Sequence, residues 1–342
     1  MLDQWTASGT LAPSPAPEVP TTMRAAVMPH AGDAEVLEVA EVAVPLRINS
    51  EVLVHVAAAG VNPIDAKTRS GRGVSAAIEG YPYVLGYDFA GVVVETPYAA
   101  HPLSVGDEVF GVMSVPRGQG SYAEYVSVPS LQVTKAPKAL TLVEAAGVPL
   151  AALTAWGMVV DVAKAHEGQR MLVHAGAGGV GHFAVQFAAY FGAHVIATGS
   201  PRNLSFLRGL GAAEVIDHTS TRFDEVLSGI DVVIDLIGNV HDETGTRSLT
   251  VLRPGGLLVN APTGSWDTLA ADAAAAGVRS STYKFIPDAS TLAVIARLLD
   301  SGDVRVHVEE VFPLDRAADA HRAIESGHTR GKVVLQVGAL PL

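Results

Sequence analysis

Cysteine is missing from all 342 residues of this chain. That single absence removes disulfides, thiolate zinc sites, iron–sulfur clusters and cysteine nucleophiles together. It also leaves no sign of an oxidising compartment, so a cytoplasmic protein is expected. Charge is sparse as well, at 17% of residues, and unbalanced, with a formal net charge of −12. An acidic surplus argues against nucleic acid or an anionic membrane as the main partner. No Asp, Glu, Lys or Arg falls between Met171 and Pro201. A membrane span is excluded there by six glycines, three histidines and a proline, and a parallel sheet covered on both faces is equally apolar. The start of the chain, Met1–Pro20, has neither a basic n-region nor an apolar core. It therefore does not resemble a signal peptide; residues 1–21 are expected to be a disordered extension.

What is present is a large apolar fraction, 49%, enough for two cored domains. The uncharged stretch Met171–Pro201 reads as strand, glycine turn, helix and second strand. Gly176, Gly178 and Gly181 form a G-x-G-x-x-G, with Gly179 and Val180 inside it. An apolar run, Met171–His174, leads in; Val180, Ala184, Phe187 and Phe191 then recur at helical spacing until Gly192. This context marks a dinucleotide site. Gly176 is expected to permit the tight turn, Gly178 to let backbone approach a pyrophosphate, and Gly181 to let helix pack on strand, while the helix N-terminus offers free N–H groups to the phosphates.

Before this stretch, from Met23 to about Leu150, short strands alternate with turns, and Val52, Val54 and Val56 share one face. The pattern predicts a partly open β-barrel. One helix is expected over Thr141–Val160, and a strand at Val36–Ala40. After the glycine turn, a helix at Arg202–Leu210 and strands at Glu214–Asp217, Asp231–Ile237, Gly256–Asn260 and Val278–Tyr283 predict a doubly wound parallel sheet. The tail, with its strand Lys332–Val337, is expected to return to the first domain. The expected division is 22–149 with 284–342 for the barrel domain and 150–283 for the nucleotide domain.

Cofactor choice follows from another absence. A site selecting NAD usually carries an acidic residue about 20 positions past the glycines. No Asp or Glu occurs from Gly181 to Ala213, and the second strand ends in Gly199-Ser200-Pro201-Arg202. Ser200 and Arg202 suit a 2′-phosphate, so NADPH is expected. The plain alternative for Arg202 is a solvated charge at a helix start.

The segments GVNPIDAKTRSG (Gly60–Gly71), YPYVLGYDFAGVV (Tyr81–Val93), VGDEVFG (Val105–Gly111), GSYAEYV (Gly120–Val126), EAAGVPLAALTAW (Glu144–Trp156) and FPLDRAADAHRAIESGHTRGKVVLQV (Phe312–Val337) stand in this order around the glycine turn. Together they resemble the medium-chain dehydrogenase/reductase superfamily, in its zinc-free quinone oxidoreductase and 2-alkenal (enone) reductase branch. The resemblance implies a GroES-like barrel beside a Rossmann domain. Where zinc alcohol dehydrogenases carry a catalytic Cys, this chain has Asn62; where they carry Gly-His-Glu, it has Gly86-Tyr87-Asp88. Only ten residues, Phe110–Gln119, occupy the place of their four-cysteine lobe. No bound metal is therefore expected.

By the same resemblance, Asn62 lies near the nicotinamide ribose, and Lys67 beside ribose and substrate oxygen. Thr154 touches the nicotinamide or its ribose, and His218 lies against the adenosine phosphate. Ile237 completes the cofactor contacts. Tyr87 lines the pocket, donates a proton, or packs in the core. Asp65 orients its own loop. The implied activity is hydride transfer to quinones or α,β-unsaturated carbonyls by a homodimer without nucleic-acid or membrane partners. Enoyl-thioester reduction and a structural or regulatory nucleotide-binding role are the alternatives.

Overall fold

A computed structural model describes residues 19–116 and 118–338. Most of the expected disordered extension, residues 1–18, lies outside them.

Eight strands come first: β1 (Thr22–Met28), β2 (Glu38–Ala43), β3 (Glu51–Val61), β4 (Tyr83–Val84), β5 (Asp88–Glu95), β6 (Glu108–Val112), β7 (Tyr125–Pro129) and β8 (Val133–Lys135). Six more build a second sheet: β9 (Arg170–Val173), β10 (His194–Gly199), β11 (Glu214–Asp217), β12 (Ile230–Asp235), β13 (Leu252–Asn260) and β14 (Arg279–Thr282). The last two are β15 (Val308–Pro313) and β16 (Lys332–Gln336). Helices α1 (Pro63–Arg69), α2 (Leu142–Ala146), α3 (Pro149–Trp156), α4 (Gly181–Tyr190) and α5 (Leu204–Gly209) are followed by α6 (Phe223–Val226), α7 (Thr244–Val251), α8 (Leu269–Ala275), α9 (Ala289–Ser301) and α10 (Ala317–Glu325).

The second sheet is parallel throughout, in the order β11-β10-β9-β12-β13-β14. Strand order reverses between β9 and β12, and ligands bind doubly wound sheets at the carboxyl ends flanking that switch. Both faces are covered, so the β9 residues Met171, Leu172 and Val173 are fully buried. Helix α4 needs no charged face because α3 covers it, with Trp156 meeting Phe187 edge-on at 5.3 Å. The barrel consists of a seven-stranded sheet and a three-stranded one, β2-β1-β4. The chain's end joins the larger sheet: β16 runs antiparallel to β3, with Val333 opposite Val61, and parallel to β15.

Two local expectations need correction. The single helix over Thr141–Val160 is instead α2 and α3, followed by a π-helical turn at Gly157–Val162. Pro149 explains the break, since it has no N–H to donate and fits only at a helix start, where it sits as the first residue of α3. The strand placed at Val36–Ala40 begins at Glu38, after a 3₁₀ turn at Ala34–Val36.

Candidate active site

The glycine turn leaves β9 at the switch point and opens α4. Its glycines answer to different neighbours. A Cβ added to Gly181 would lie 2.2 Å from the Ala175 carbonyl, so this glycine lets the helix press on the turn below it. One added to Gly176 would meet Leu207 at 2.9 Å and Ala197 at 3.1 Å. Gly176 thus serves packing against α5 and β10, and the left-handed residue of the turn is Ala175, at φ +47°. At Gly178 the nearest atom would be the Ala175 carbonyl, at 3.4 Å. Its face is open. The N–H groups of Gly179 and Val180 find no acceptor among the described residues. An open glycine beside unsatisfied N–H donors at a helix N-terminus fits a pyrophosphate.

At the carboxyl ends of β10 and β11 the structure gathers Ser200, Arg202 and His218. His218 is exposed, and its N–H donates to the Gly199 carbonyl at 3.2 Å. Ser200 Oγ accepts from Asn203 Nδ2 at 3.2 Å. The Arg202 guanidinium donates to the His328 carbonyl and stands 3.6 Å from Glu309. Beside it Arg330, which carried no signal in the sequence, donates to Asn203 Oδ1 at 2.8 Å and to the Arg202 carbonyl at 3.0 Å. On the far side of the switch, Asp235 Oδ1 accepts the N–H groups of Ile237 (3.0 Å) and Gly238 (2.8 Å). That carboxylate shapes the turn carrying Ile237.

Between the sheets lies a buried polar knot. Asn62, 1% exposed, donates its side-chain N–H to Asp88 Oδ2 at 2.9 Å, and its Oδ1 accepts from Lys332 Nζ. Asp88 also accepts the Leu150 N–H at 2.7 Å, which fixes the start of α3. One turn on, Thr154 donates its hydroxyl to the Leu150 carbonyl at 2.7 Å. Burial raises the Asp88 carboxyl above its ordinary value, and the Lys332 ammonium and Asn62 amide pull it back. Sequence reasoning singled out Asn62 and Thr154 but missed Lys332; nothing in spacing marks a lysine on a buried strand as an ion-pair partner.

Lys67 sits on α1, a helix where a loop was the plain alternative. It is half-buried, and its ammonium has no hydrogen-bond or ion-pair partner among the described residues. Burial first, and then the Arg72 guanidinium, hold its pKa below the usual lysine value. A cation kept partly out of water without a partner marks a candidate working group. Tyr87 is buried, with its hydroxyl donating to the Val115 carbonyl at 3.2 Å and its ring edge-on to Phe285 at 5.7 Å. Burial raises its pKa, with the Asp65 charge adding to the effect. A phenol so placed is a poor acid.

Asp65 caps α1, with Oδ2 accepting the Asn62 N–H at 2.8 Å. The Tyr122 hydroxyl bridges Asp65 Oδ2 (3.1 Å) and His321 Nε2 (3.3 Å). Burial pushes the Asp65 carboxyl up to about 7, against the Asn62 N–H and with help from Asp88. An acid raised in the folded state stabilises the fold fully below its unfolded pKa, 3.8, and loses that contribution as pH rises to about 7. Buried His182, lowered to about 4, works oppositely, losing its contribution as pH falls below 6.5. Asp65→Asn cannot ionise. Thermal melts from pH 4 to 7 should show wild type losing stability relative to this variant, by up to about 4 kcal/mol. Parallel curves would show that Asp65 titrates normally.

Residues 49–138 match the alcohol dehydrogenase GroES-like domain, and residues 210–335 the zinc-binding dehydrogenase family. The chain belongs to the medium-chain dehydrogenase/reductase superfamily, and it is an oxidoreductase of the nicotinamide-dependent kind. It is 33% identical over 325 residues to the mitochondrial NAD(P)H oxidoreductase RTN4IP1 of Mus musculus, covering 84% of this chain and 82% of that one. To the chloroplastic NADPH-dependent alkenal/one oxidoreductase of Arabidopsis thaliana it is 35% identical over 330 residues, covering 93% and 80%. The solved quinone oxidoreductase of Coxiella burnetii superposes with a TM-score of 0.87 at 33% identity, over 93% of this chain and all of that one. Among the described residues, no group of three His, Cys, Asp or Glu is placed to hold a metal ion. No helix there is long and apolar enough to cross a membrane.

Proposed function

We propose that this chain is an NADPH-dependent reductase of α,β-unsaturated carbonyls and quinones that works without a bound metal. The observation that carries the reading is the open glycine turn set beside an end of β10 that contributes Ser200 and Arg202 and no carboxylate of its own. The similarity to the Arabidopsis alkenal/one oxidoreductase and the Coxiella quinone oxidoreductase supports the substrate class. The Lys332 ammonium supports metal independence: it already stands against Asn62 and Asp88, where a divalent ion would be repelled.

In this reading Gly178, Gly179 and Val180 receive the pyrophosphate, with Gly176 and Gly181 shaping the turn. Ser200, Arg202 and His218 receive the adenosine end, and Asn62, Thr154 and Ile237 surround the nicotinamide end. NADPH, when bound, supplies the hydride for an electron-poor carbon. Lys67 then stabilises the charge that builds on the substrate oxygen, work that a Lewis acid does elsewhere. Tyr87 lines the pocket wall. A cytoplasmic homodimer belongs to the same reading, with the edge strand β14 offering an unpaired side for a second copy.

The cofactor test is mutational. Arg202→Ala should weaken NADPH by roughly 1.5–3 kcal/mol, the range for hydrogen bonds to charged groups, and leave NADH nearly unaffected. Glu309 competes with a phosphate for that guanidinium. Glu309→Gln should therefore tighten NADPH by about 0.2–1 kcal/mol, the usual worth of an exposed pair. Equal changes for NADPH and NADH in titrations of both variants would show that this corner does not read the 2′-phosphate.

A further inference from the structure

Lys332 opens β16 and is 3% exposed. Its ammonium donates to Asn62 Oδ1 and stands 3.4 Å from Asp88 Oδ2. Its aliphatic stem lies against the glycine turn: a Cβ added to Gly179 would be 3.4 Å from Lys332 Cδ. The preceding residue ties the same strand to the turn, with the Gly331 N–H donating to the Ala177 carbonyl at 2.8 Å. Gly331 adopts φ +63°, and a Cβ there would meet the His307 carbonyl at 2.1 Å, so the strand enters by one path. One side chain thus spans from the nucleotide turn to Asn62.

The electrostatics fix the amide. Oδ1 faces a cation and Nδ2 faces a carboxylate, so a flipped amide would meet repulsion at both ends. After bonding Asp88, Asn62 Nδ2 keeps one hydrogen to give. The Lys332 ammonium at Oδ1 draws electron density from the amide nitrogen and so strengthens that remaining donor, while Asp88 holds the other hydrogen and fixes its direction. A buried ammonium and carboxylate gain little stability from each other once desolvation is counted, so stability alone does not account for the pair.

We propose that Lys332 is a positioning residue for the reaction: it locks the Asn62 amide against the nucleotide turn, so that the remaining Nδ2 hydrogen serves the bound cofactor. This rests on the reading of Asn62 as a cofactor-facing group.

A double-mutant cycle tests it. Asn62→Ala, Lys332→Met and the pair are compared in NADPH Kd, by fluorescence titration, and in kcat for an enone. If Lys332 acts through Asn62, each single variant loses activity or affinity and the pair is no worse than the poorer single, a coupling of about tenfold. Lys332→Arg, which keeps the cation, should recover most of what Lys332→Met loses. Losses that multiply in the pair, or an Arg variant no better than Met, would overturn the proposal. Lys332→Met strands Asp88 without its counter-ion and can unfold the chain. Lys332→Met is therefore also made together with Asp88→Asn, which removes both buried charges at once, and Asn62→Ala is compared again on that pair. The Kd arm needs no substrate. A wild type that binds NADPH but reduces no enone or quinone would sink the reductase reading while the cycle in Kd still decides the role of Lys332.

Discussion

Lys67→Ala lowers kcat/KM for an enone by about 10²-fold, the cost of removing one donor from a developing oxyanion. Lys67 lies on α1, five residues beyond Asn62, half-buried and with its ammonium unpartnered among the described residues. An ammonium already satisfied by a carboxylate would have little left to give a substrate; this one has not been spent. The loss falls on kcat if the charge is met only in the transition state, and on NADPH affinity if Lys67 merely holds the ribose. Readily reduced quinones, whose developing oxyanion is delocalised, lose less than enones. Because burial and Arg72 lower the Lys67 pKa, the ammonium is lost at a lower pH than an ordinary lysine. The alkaline limb of kcat should therefore begin below pH 10.5, the ordinary value, and Arg72→Ala should move it upward. Wild-type kcat and Kd in Lys67→Ala and Lys67→Met would remove Lys67 from the site.

The second large effect separates two glycines three residues apart. Gly181→Ala places a methyl 2.2 Å from the Ala175 carbonyl, and neither backbone can yield without moving α4 off the turn. Overpacking of this kind costs typically 1–3 kcal/mol or more, so the variant should melt early and bind nucleotide poorly. Gly178→Ala meets nothing closer than 3.4 Å and should melt like wild type. Its methyl instead occupies the face offered to the pyrophosphate, and a loss of about tenfold or more in NADPH affinity is expected, equal to about 1.4 kcal/mol. Calorimetry beside NADPH titration distinguishes a packing glycine from a binding one. A Gly178→Ala protein with undiminished affinity would move the pyrophosphate elsewhere.

The nucleotide sheet was legible because its signals are local. Valines, glycines and small residues at fixed spacing announce strand, turn and helix, and the missing carboxylate after Gly181 can be seen by inspection. Roles within the turn were less legible. Gly176 looked like the residue that turns the chain, yet Ala175 takes the left-handed angle, since close approach by Leu207 and Ala197 depends on segments that fold over it later. The Asn62–Asp88–Lys332 knot joins residues up to 270 positions apart. No periodicity carries such a pairing, and Lys332 in a matching segment looked no different from a surface lysine. Arg330 and Glu309 were hidden for the same reason: they reach Asn203 and Arg202 from strand ends whose approach only the tertiary fold defines. The Pro149 break was readable in principle, because proline cannot continue a helix. A run of helix formers on both sides masked it.

The central claim is a reductase that takes its hydride from NADPH and needs no metal. The most direct test follows nicotinamide absorbance while purified protein, treated with a chelator and shown free of zinc by elemental analysis, meets a panel of enones, 2-alkenals, quinones and an enoyl thioester, with NADPH or NADH. The account predicts full activity after chelation, turnover of enones or quinones above the enoyl thioester, and a clear preference for NADPH. Activity lost on chelation and restored by zinc, or a preference for NADH, would contradict it.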